Sequence, residues 1–340
     1  RGRRRVAVAR YAVEEVFPSA WDPDEEPDQW AAVARLLEEA DPVTIGVNVS
    51  PGTALADGLT SSEMDGLGHA LGSELLGRVV SAEALAVGWL ETRIPGEVDA
   101  LAEACGIAHG LLARALSREV VDPGRTSTDD VVWWLRERVR DLGLTSWFHP
   151  TVSVQRAGGV PRTTFWSTPV PVVVEPGDLV HVDFGIVHLG MHTDQQQHGY
   201  VLRPRESSAP DGLRTALAAA NRVQDLLLAE MRPDRTGNDV LRDALAAAGV
   251  EGLRPRIYTH PIGLHGHAAG PTIGLWDRQD GVAGAGDLAL HPDTAYSIEL
   301  QAVSAVPGWG DVAVMLEEEA FLDAAGIRWL DGRQTDFHLI

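Results

Sequence analysis

The sequence contains no lysine, so all 28 of its basic residues are arginines. Without lysine the chain cannot form a Schiff base with pyridoxal phosphate, and it cannot build a phosphate-binding loop that ends in Lys-Ser or Lys-Thr. It also lacks a Gly-x-Ser-x-Gly motif, which argues against the nucleophile turn of many serine hydrolases. These absences remove several large classes of enzyme.

Cysteine is almost absent as well, because Cys105 is the only one. An intramolecular disulfide and a zinc site built from thiolates are therefore both excluded. Cys105 lies in a helical pattern near His109, and a nucleophilic Cys–His pair is one interpretation of this segment. The other is a small residue buried in a helix, which we favour because free cysteine is commonly part of a core.

Positive charge and long apolar runs are scarce too. The 49 acidic and 28 basic residues give a formal charge of −21, which argues against nucleic acid as a partner because phosphates would be repelled. No apolar run approaches the roughly 18 residues of a membrane-spanning helix, so we expect no membrane partner. The chain opens at Arg1, and a signal segment could have been removed; we expect a cytoplasmic protein.

The length of 340 residues, 44% of them hydrophobic, suggests two domains with a sizeable core. Strand-like and helix-like segments alternate at the start, which predicts a small α/β domain over residues 1–90. A long helical pattern then begins near Pro95, since proline is favoured in the first turn of a helix. We therefore predict a second domain over residues 91–340.

The second domain contains an internal duplication. PGRTSTDD, which starts at Pro123, is echoed by PDRTGNDV from Pro233, and FHPTV around His149 is echoed by THPIG around His260. The offsets are 110 and 111 residues, which are too similar to dismiss. We predict two similar halves with a pseudo-symmetric site between them.

An acidic pair lies in a predicted hairpin of the first half. A turn centred between His188 and Leu189 would set Asp183 directly opposite Asp194. Opposed side chains share one face of a sheet, with Cβ atoms about 5 Å apart. Two carboxylates so close in a partly buried setting repel each other unless a cation lies between them.

The second half repeats this arrangement, because Glu299 and Glu317 are centred on Gly308 in the turn-like sequence PGWG. Either hairpin alone could be an exposed acid pair on a strand, but the internal repeat relates the two. Four carboxylates with one imidazole suit Mn²⁺, Fe²⁺, Co²⁺ or Zn²⁺ in a paired site. His260 is the candidate imidazole; a lone histidine there is more often structural, but its place in the repeat favours a ligand.

The order Asp, ten residues, Asp, then His, Glu and Glu resembles that of the pita-bread metallopeptidases: methionine aminopeptidase, Xaa-Pro aminopeptidase and prolidase. GDLVHVDFG resembles the family's GDLVLIDFG, THPIGLHGH its Gly-His-Gly-Ile-Gly-x-x-x-His, and VMLEEEAFLDAAG its Val-Arg-Ile-Glu-Asp-x-x-x-Val-x-x-x-Gly. The resemblance runs from about Glu91 to the end, after a segment that looks like a shortened creatinase-type domain. It implies an α/β N-terminal domain and an α+β pita-bread catalytic domain.

The resemblance also implies a role for each residue of the set. Asp183 would bind one metal ion, His260 with Glu299 the other, and Asp194 with Glu317 would bridge both. A hydroxide held between the ions would attack a peptide carbonyl. Glu299 would also carry a proton to the leaving amine.

The substrate-binding positions match the family less closely. His267, seven residues after His260, matches the second family histidine and would hydrogen-bond the substrate carbonyl or the tetrahedral intermediate. The first substrate histidine has no clear counterpart, and His149 or Trp166 could take its place. Gln197 stands where these peptidases often carry arginine.

We therefore predict a divergent, Xaa-Pro aminopeptidase-like metallopeptidase with two divalent ions, Mn²⁺ first and Co²⁺, Zn²⁺ or Fe²⁺ as alternatives. It would hydrolyse an N-terminal peptide bond as an aminopeptidase or dipeptidase. The other readings are a non-peptide amidohydrolase or lyase on the same metal site, and a non-catalytic pita-bread binding module. Expected partners are a peptide or small amide substrate and, as one oligomeric state, a second copy in a homodimer.

Overall fold

The structure is a computed structural model that describes residues 5–9, 13, 15–159 and 170–340. Its helices are α1 (Gln29–Ala40), α2 (Ser61–Leu76), α3 (Glu83–Glu91), α4 (Pro95–Ala115), α5 (Thr128–Asp141), α6 (Asp211–Glu230) and α7 (Gly237–Val250). Its strands are β1 (Ile45–Val47), β2 (Val79–Ser81), β3 (Thr151–Gln155), β4 (Leu179–Phe184), β5 (Val187–His188), β6 (Met191–His192), β7 (Gln195–Tyr200), β8 (Pro255–Ile257), β9 (His260–Pro261), β10 (Thr294–Ser297), β11 (Leu300–Val306), β12 (Gly310–Leu316), β13 (Glu319–Asp323), β14 (Gly326–Trp329) and β15 (His338–Leu339). None of the helices in these ranges is long and apolar enough to cross a membrane.

The chain divides into two compact units, Arg1–Val87 and Gly88–Ile340. In the first unit, β1 and β2 pair in parallel, and α1 and α2 share a small apolar core with β1. Asp28 caps α1, and Thr60 caps α2. This mixture of helix and parallel strand agrees with the α/β prediction, and the boundary predicted after residue 90 stays a prediction.

The second unit contains the same arrangement of elements twice. In its first half, α4 and α5 precede β3, β4 and β7, and β4 pairs antiparallel with both β3 and β7. In its second half, α6 and α7 precede β8, β11 and β12, and β11 pairs antiparallel with both β8 and β12. The predicted internal duplication is therefore confirmed in the order and pairing of its elements.

The duplicated PGRT and PDRT segments begin the second helix of each half. The Ser127 hydroxyl accepts a hydrogen bond from the backbone N–H of Asp130 at the start of α5, and the Thr236 hydroxyl accepts one from Asp239 at the start of α7. A side-chain oxygen at this position satisfies an amide that has no partner within the helix. The repeated sequence is thus a repeated signal for the start of a helix.

The alternation of side chains along the strands decides which face carries the site. Val180 and Val182 of β4 are in one apolar core with α4 and α5, while Leu300 and Leu316 of β11 and β12 are in another with α6 and α7. Because successive side chains point to opposite faces of a sheet, the acids at the intervening positions point away from the helices. The acids of each half therefore lie on the face of its sheet that is turned away from its helices.

Candidate metal centre

Asp183 and Asp194 share one face of a hairpin, but they are not directly opposite each other. Asp183 pairs with Gln196 of β7, and Asp194 lies two residues before Gln196 in the sequence. The predicted register is therefore wrong, because the turn is centred one residue later in the sequence than predicted. The two acids are diagonal neighbours on the same face, and they are close enough for both to bind one cation.

The turn itself explains the correction. The β5–β6 pair places the turn between Leu189 and Gly190 rather than between His188 and Leu189. Both turn residues have positive φ, 51° at Leu189 and 82° at Gly190, as a two-residue type I′ turn requires. The glycine takes the second of these positions without strain, and this selects the observed register.

The second acidic hairpin has the predicted register. Leu300 pairs with Leu316, and the strands turn around Gly308, which has a φ of 77°. Glu299 and Glu317 come directly before and after these strands, so they continue the same register at the open end of the hairpin. The prediction that these two glutamates face each other is confirmed.

The two acidic hairpins meet where β7 passes the end of β12. Gln196 and Glu317 exchange backbone hydrogen bonds of 3.0 and 3.3 Å. The Gln196 side-chain NH₂ group donates hydrogen bonds to Glu299 (2.9 Å) and to Glu317 (2.5 Å). The side-chain oxygen of Gln196 accepts a hydrogen bond from His181 at 2.9 Å. Sequence reasoning missed Gln196, although in the correct register it is the residue opposite Asp183.

His260 completes the cluster from β9. Its Nε2 lies 3.4 Å from a Glu317 oxygen, 3.9 Å from Asp194 and 4.0 Å from Glu299. Its Nδ1 lies 3.0 Å from the carbonyl oxygen of Pro261, which can only accept, so the proton belongs on Nδ1. The Nε2 lone pair is therefore directed at the carboxylates and is free to bind a metal ion.

The donor set fits divalent metal ions. Two of its buried atoms, Asp183 Oδ1 and His260 Nε2, have no hydrogen-bond partner among the residues that the structure describes. Burial, followed by repulsion from the Glu317 charge, raises the pKa values of Asp183, Asp194 and Glu299 well above their usual range. Positive charge at this position would relieve that repulsion. Three overlapping groups have ligand atoms within 4.8 Å of one another: Asp183, Asp194 and Glu317; His260, Glu299 and Glu317; and Asp194, His260 and His267.

The four carboxylates of the cluster line a cavity of about 350 Å³. His267 lies at its edge, with its ring centre 4.5 Å from that of His260 and 5.4 Å from that of Trp147. Burial, with a further contribution from His260, lowers the pKa of His267 to about 4. His267 is therefore neutral at pH 7 and keeps one N–H to donate. The remaining lining residues are Gln196 and four aromatic residues: Trp147, Phe148, Tyr258 and Trp276.

The structure does not place His149 or Gln197 at this cavity. His149 lies against the exposed side of α5, and Gln197 points to the other face of β7, where it donates to Glu318 at 2.8 Å. Trp147, two residues before His149, lines the cavity instead. Trp166, the other residue considered for this role, lies outside the described residues.

Cys105 is a buried residue of α4, as the structural interpretation predicted. Burial and the nearby carboxylate of Glu319, to which its thiol donates, raise the pKa of Cys105 well above its usual value, so a reactive thiolate is disfavoured. His109 lies 2.5 Å from Glu318 and 2.8 Å from Asp331. Burial would lower the pKa of His109, but these two carboxylates raise it to about 9. His109 is therefore protonated at pH 7 and paired with the carboxylates, so it cannot serve as a base for Cys105.

Comparison with known proteins identifies the family. A profile of metallopeptidase family M24 matches residues 99–329, more than half of the chain. An X-Pro aminopeptidase from Thermotoga maritima MSB8 has a TM-score of 0.65 at 16% identity, over 92% of this chain and 80% of that one. Dipeptidase PepE from Mycobacterium ulcerans gives 0.64 at 23% identity, over 92% and 75%. A methionine aminopeptidase from Thermotoga maritima gives 0.52 at 20%, over 71% and 99%. No curated protein matches the sequence.

The chain belongs to metallopeptidase family M24, a family of hydrolases that depend on divalent metal ions. The three solved structures show the same fold at less than 25% identity, so the predicted pita-bread fold is confirmed.

Proposed function

We propose that the chain is an aminopeptidase or dipeptidase, similar to Xaa-Pro aminopeptidases, that hydrolyses an N-terminal peptide bond with two bound divalent ions. One observation carries this proposal: Asp183 Oδ1 and His260 Nε2 are buried in a cluster of carboxylates and have no hydrogen-bond partner within the described part of the chain. Buried polar atoms without a hydrogen-bond partner are rare in folded proteins, because each loses its hydrogen bonds to water on burial and forms no replacement. Bound cations would give both atoms a partner.

Each member of the cluster has a proposed place around the ions. Asp183 would hold one ion, His260 and Glu299 the other, and Asp194 with Glu317 both. Carboxylate oxygens with a single imidazole suit Mn²⁺, with Co²⁺, Zn²⁺ and Fe²⁺ as alternatives. When bound, such ions lower the pKa of water and polarise the scissile carbonyl.

Two residues of the chain would act on the substrate directly. His267, which is neutral at pH 7, would donate its N–H to the carbonyl oxygen as negative charge develops there. Glu299 lines the same cavity and would carry a proton to the leaving amine. The aromatic lining would keep bulk water away from both.

A free dipeptide is not expected to be the preferred substrate. Among the described residues no arginine lines the cavity, and the chain contains no lysine. A dipeptide bound there would leave its carboxylate without a cationic partner, which lowers its efficiency. We therefore expect longer N-terminal peptides or another amide to be preferred over Xaa-Pro dipeptides.

Reconstitution tests the proposal. The purified chain is stripped with a chelator, reloaded with Mn²⁺, Co²⁺ or Zn²⁺, and assayed on dipeptides, longer peptides and amides alongside elemental analysis. We expect close to two ions per chain and release of N-terminal residues. A chain that holds no metal after reloading refutes the metal site, whereas bound metal without turnover of any amide favours a binding module. The homodimer and the cytoplasmic location stay predictions.

A further inference from the structure

The cavity is lined by two chemically different kinds of side chain. One kind is the carboxylates of the proposed metal site, and the other is the aromatic side chains of Trp147, Phe148, Tyr258 and Trp276. All four aromatic side chains are only partly buried, so they have ring surface left for a ligand. A substrate held by the acidic residues would therefore have aromatic rings within the same cavity.

The position of Trp147 is closely constrained. Its indole N–H donates to the backbone oxygen of Thr193 at 2.7 Å. Its ring packs edge-on against Phe148 and His267, with centres 4.6 and 5.4 Å apart. Trp147 is therefore held in place before any substrate arrives, which reduces the entropy that binding would lose.

Two glycines make room for this indole. Gly185 follows the strand of Asp183, and Gly266 directly precedes His267. A methyl group on either glycine would overlap the Trp147 ring. The backbone at these two positions thus leaves space for a tryptophan ring, which fixes the position of Trp147 in the cavity lining.

We propose that the preferred substrate carries an aromatic residue next to the scissile amide bond, and that Trp147 and Trp276 select it. This specificity rests on the proposed function, because both use the same cavity. An aromatic side chain gains from apolar burial and from edge-to-face or offset contacts with these rings. An acidic residue finds no cationic partner among the described lining residues.

Two matched peptide series test this specificity on the metal-loaded chain. One is X-Ala-Ala-amide and the other Ala-X-Ala-amide, with X as Phe, Trp, Leu, Ala, Pro, Asp or Arg. In at least one series we expect Phe or Trp to exceed Ala by about tenfold to a hundredfold in kcat/KM, the gain from burying one aromatic side chain. Preference for Pro, Asp or Arg over the aromatic residues in both series overturns the proposal.

Variants of the two tryptophans locate the cause. Trp147→Ala and Trp276→Ala should each reduce the aromatic-to-alanine ratio of kcat/KM to below about threefold. Trp133→Ala removes an exposed tryptophan of α5 that does not line the cavity, and it should leave the ratio unchanged. If Trp147→Ala does not fold, Trp276→Ala decides. A folded Trp276→Ala variant with the parent's ratio refutes the assignment.

A binding experiment separates this proposal from the proposed function. Phenylalaninol and alaninol contain no amide bond, so their affinities are measurable by calorimetry whether or not the chain is active. We expect phenylalaninol to bind at least about tenfold more tightly, and Trp276→Ala to abolish the difference. That result in a chain without peptidase activity keeps the aromatic site and refutes the function. Peptide turnover with equal affinities refutes the aromatic site alone.

Discussion

Glu91 offers a stability prediction that can be worked out from the structure. Its side chain is buried, with only 5% of the residue exposed, and no described residue forms a hydrogen bond with its Oε2. Burial raises the pKa of Glu91 from 4.5 to about 7, and the nearby charge of Arg93 opposes this only in part. The substitution Glu91→Gln keeps the shape of the side chain and removes its charge.

The direction of the change in stability with pH follows from which state, folded or unfolded, keeps the Glu91 proton. Between pH 4.5 and about 7 the folded chain keeps a proton on Glu91 that the unfolded chain has lost. The folded state is therefore favoured at low pH, and this contribution is lost as the pH rises through about 7. The difference in pKa corresponds to about 3 kcal/mol. Glutamine has no proton to lose in this pH range. Between pH 4.5 and 8 the free energy of unfolding of Glu91→Gln should therefore rise by up to about 3 kcal/mol relative to that of the parent.

Urea unfolding followed by tryptophan fluorescence measures this difference. Parent and Glu91→Gln are compared from pH 5 to 8 in chelator, so that metal binding does not contribute. Glu137→Gln, an exposed change on α5, is the matched control, and its difference from the parent should stay within about 0.5 kcal/mol at every pH. A difference for Glu91→Gln that is constant with pH, or that turns against the variant at high pH, would show that Arg93 stabilises the Glu91 charge after all.

Four further predictions concern the metal site, the cavity and Cys105. His260→Ala and Asp194→Asn should each abolish turnover and lower the metal content while the circular dichroism spectrum is kept, because each loses a proposed ligand. His267→Ala should lower kcat by about a hundredfold or more with unchanged metal content, and a parallel loss of metal would make it a ligand instead. Gln196→Met, which removes the donors to both glutamates, should weaken metal binding in calorimetry by about tenfold or more; unchanged affinity would contradict a positioning role. Cys105→Ser should be nearly silent, and an inactive Cys105→Ser beside an active His260→Ala would restore the cysteine mechanism.

Local sequence determined much of the architecture. Alternation of side chains predicts which strand positions share a face, and it placed Asp183 and Asp194 together even though their register was wrong. The PGWG turn centred on Gly308 predicted the pairing of Glu299 with Glu317 correctly, since a short turn sets the register of the hairpin that it closes. The duplicated helix starts predicted the two halves in the same way.

Contacts between distant segments were decided only by the tertiary structure. Gln196 contacts Glu299 and Glu317, more than 100 residues away, and nothing in its own neighbourhood of the sequence signals that contact. Likewise Trp147 reaches the cavity because Gly185 and Gly266, from two separate segments, leave space for its ring. Periodicity and turn residues specify the local path of the backbone, whereas packing of one half against the other specifies which side chains meet. The candidate ligands could therefore be predicted from the sequence, and the residues that position them and line the substrate cavity could not.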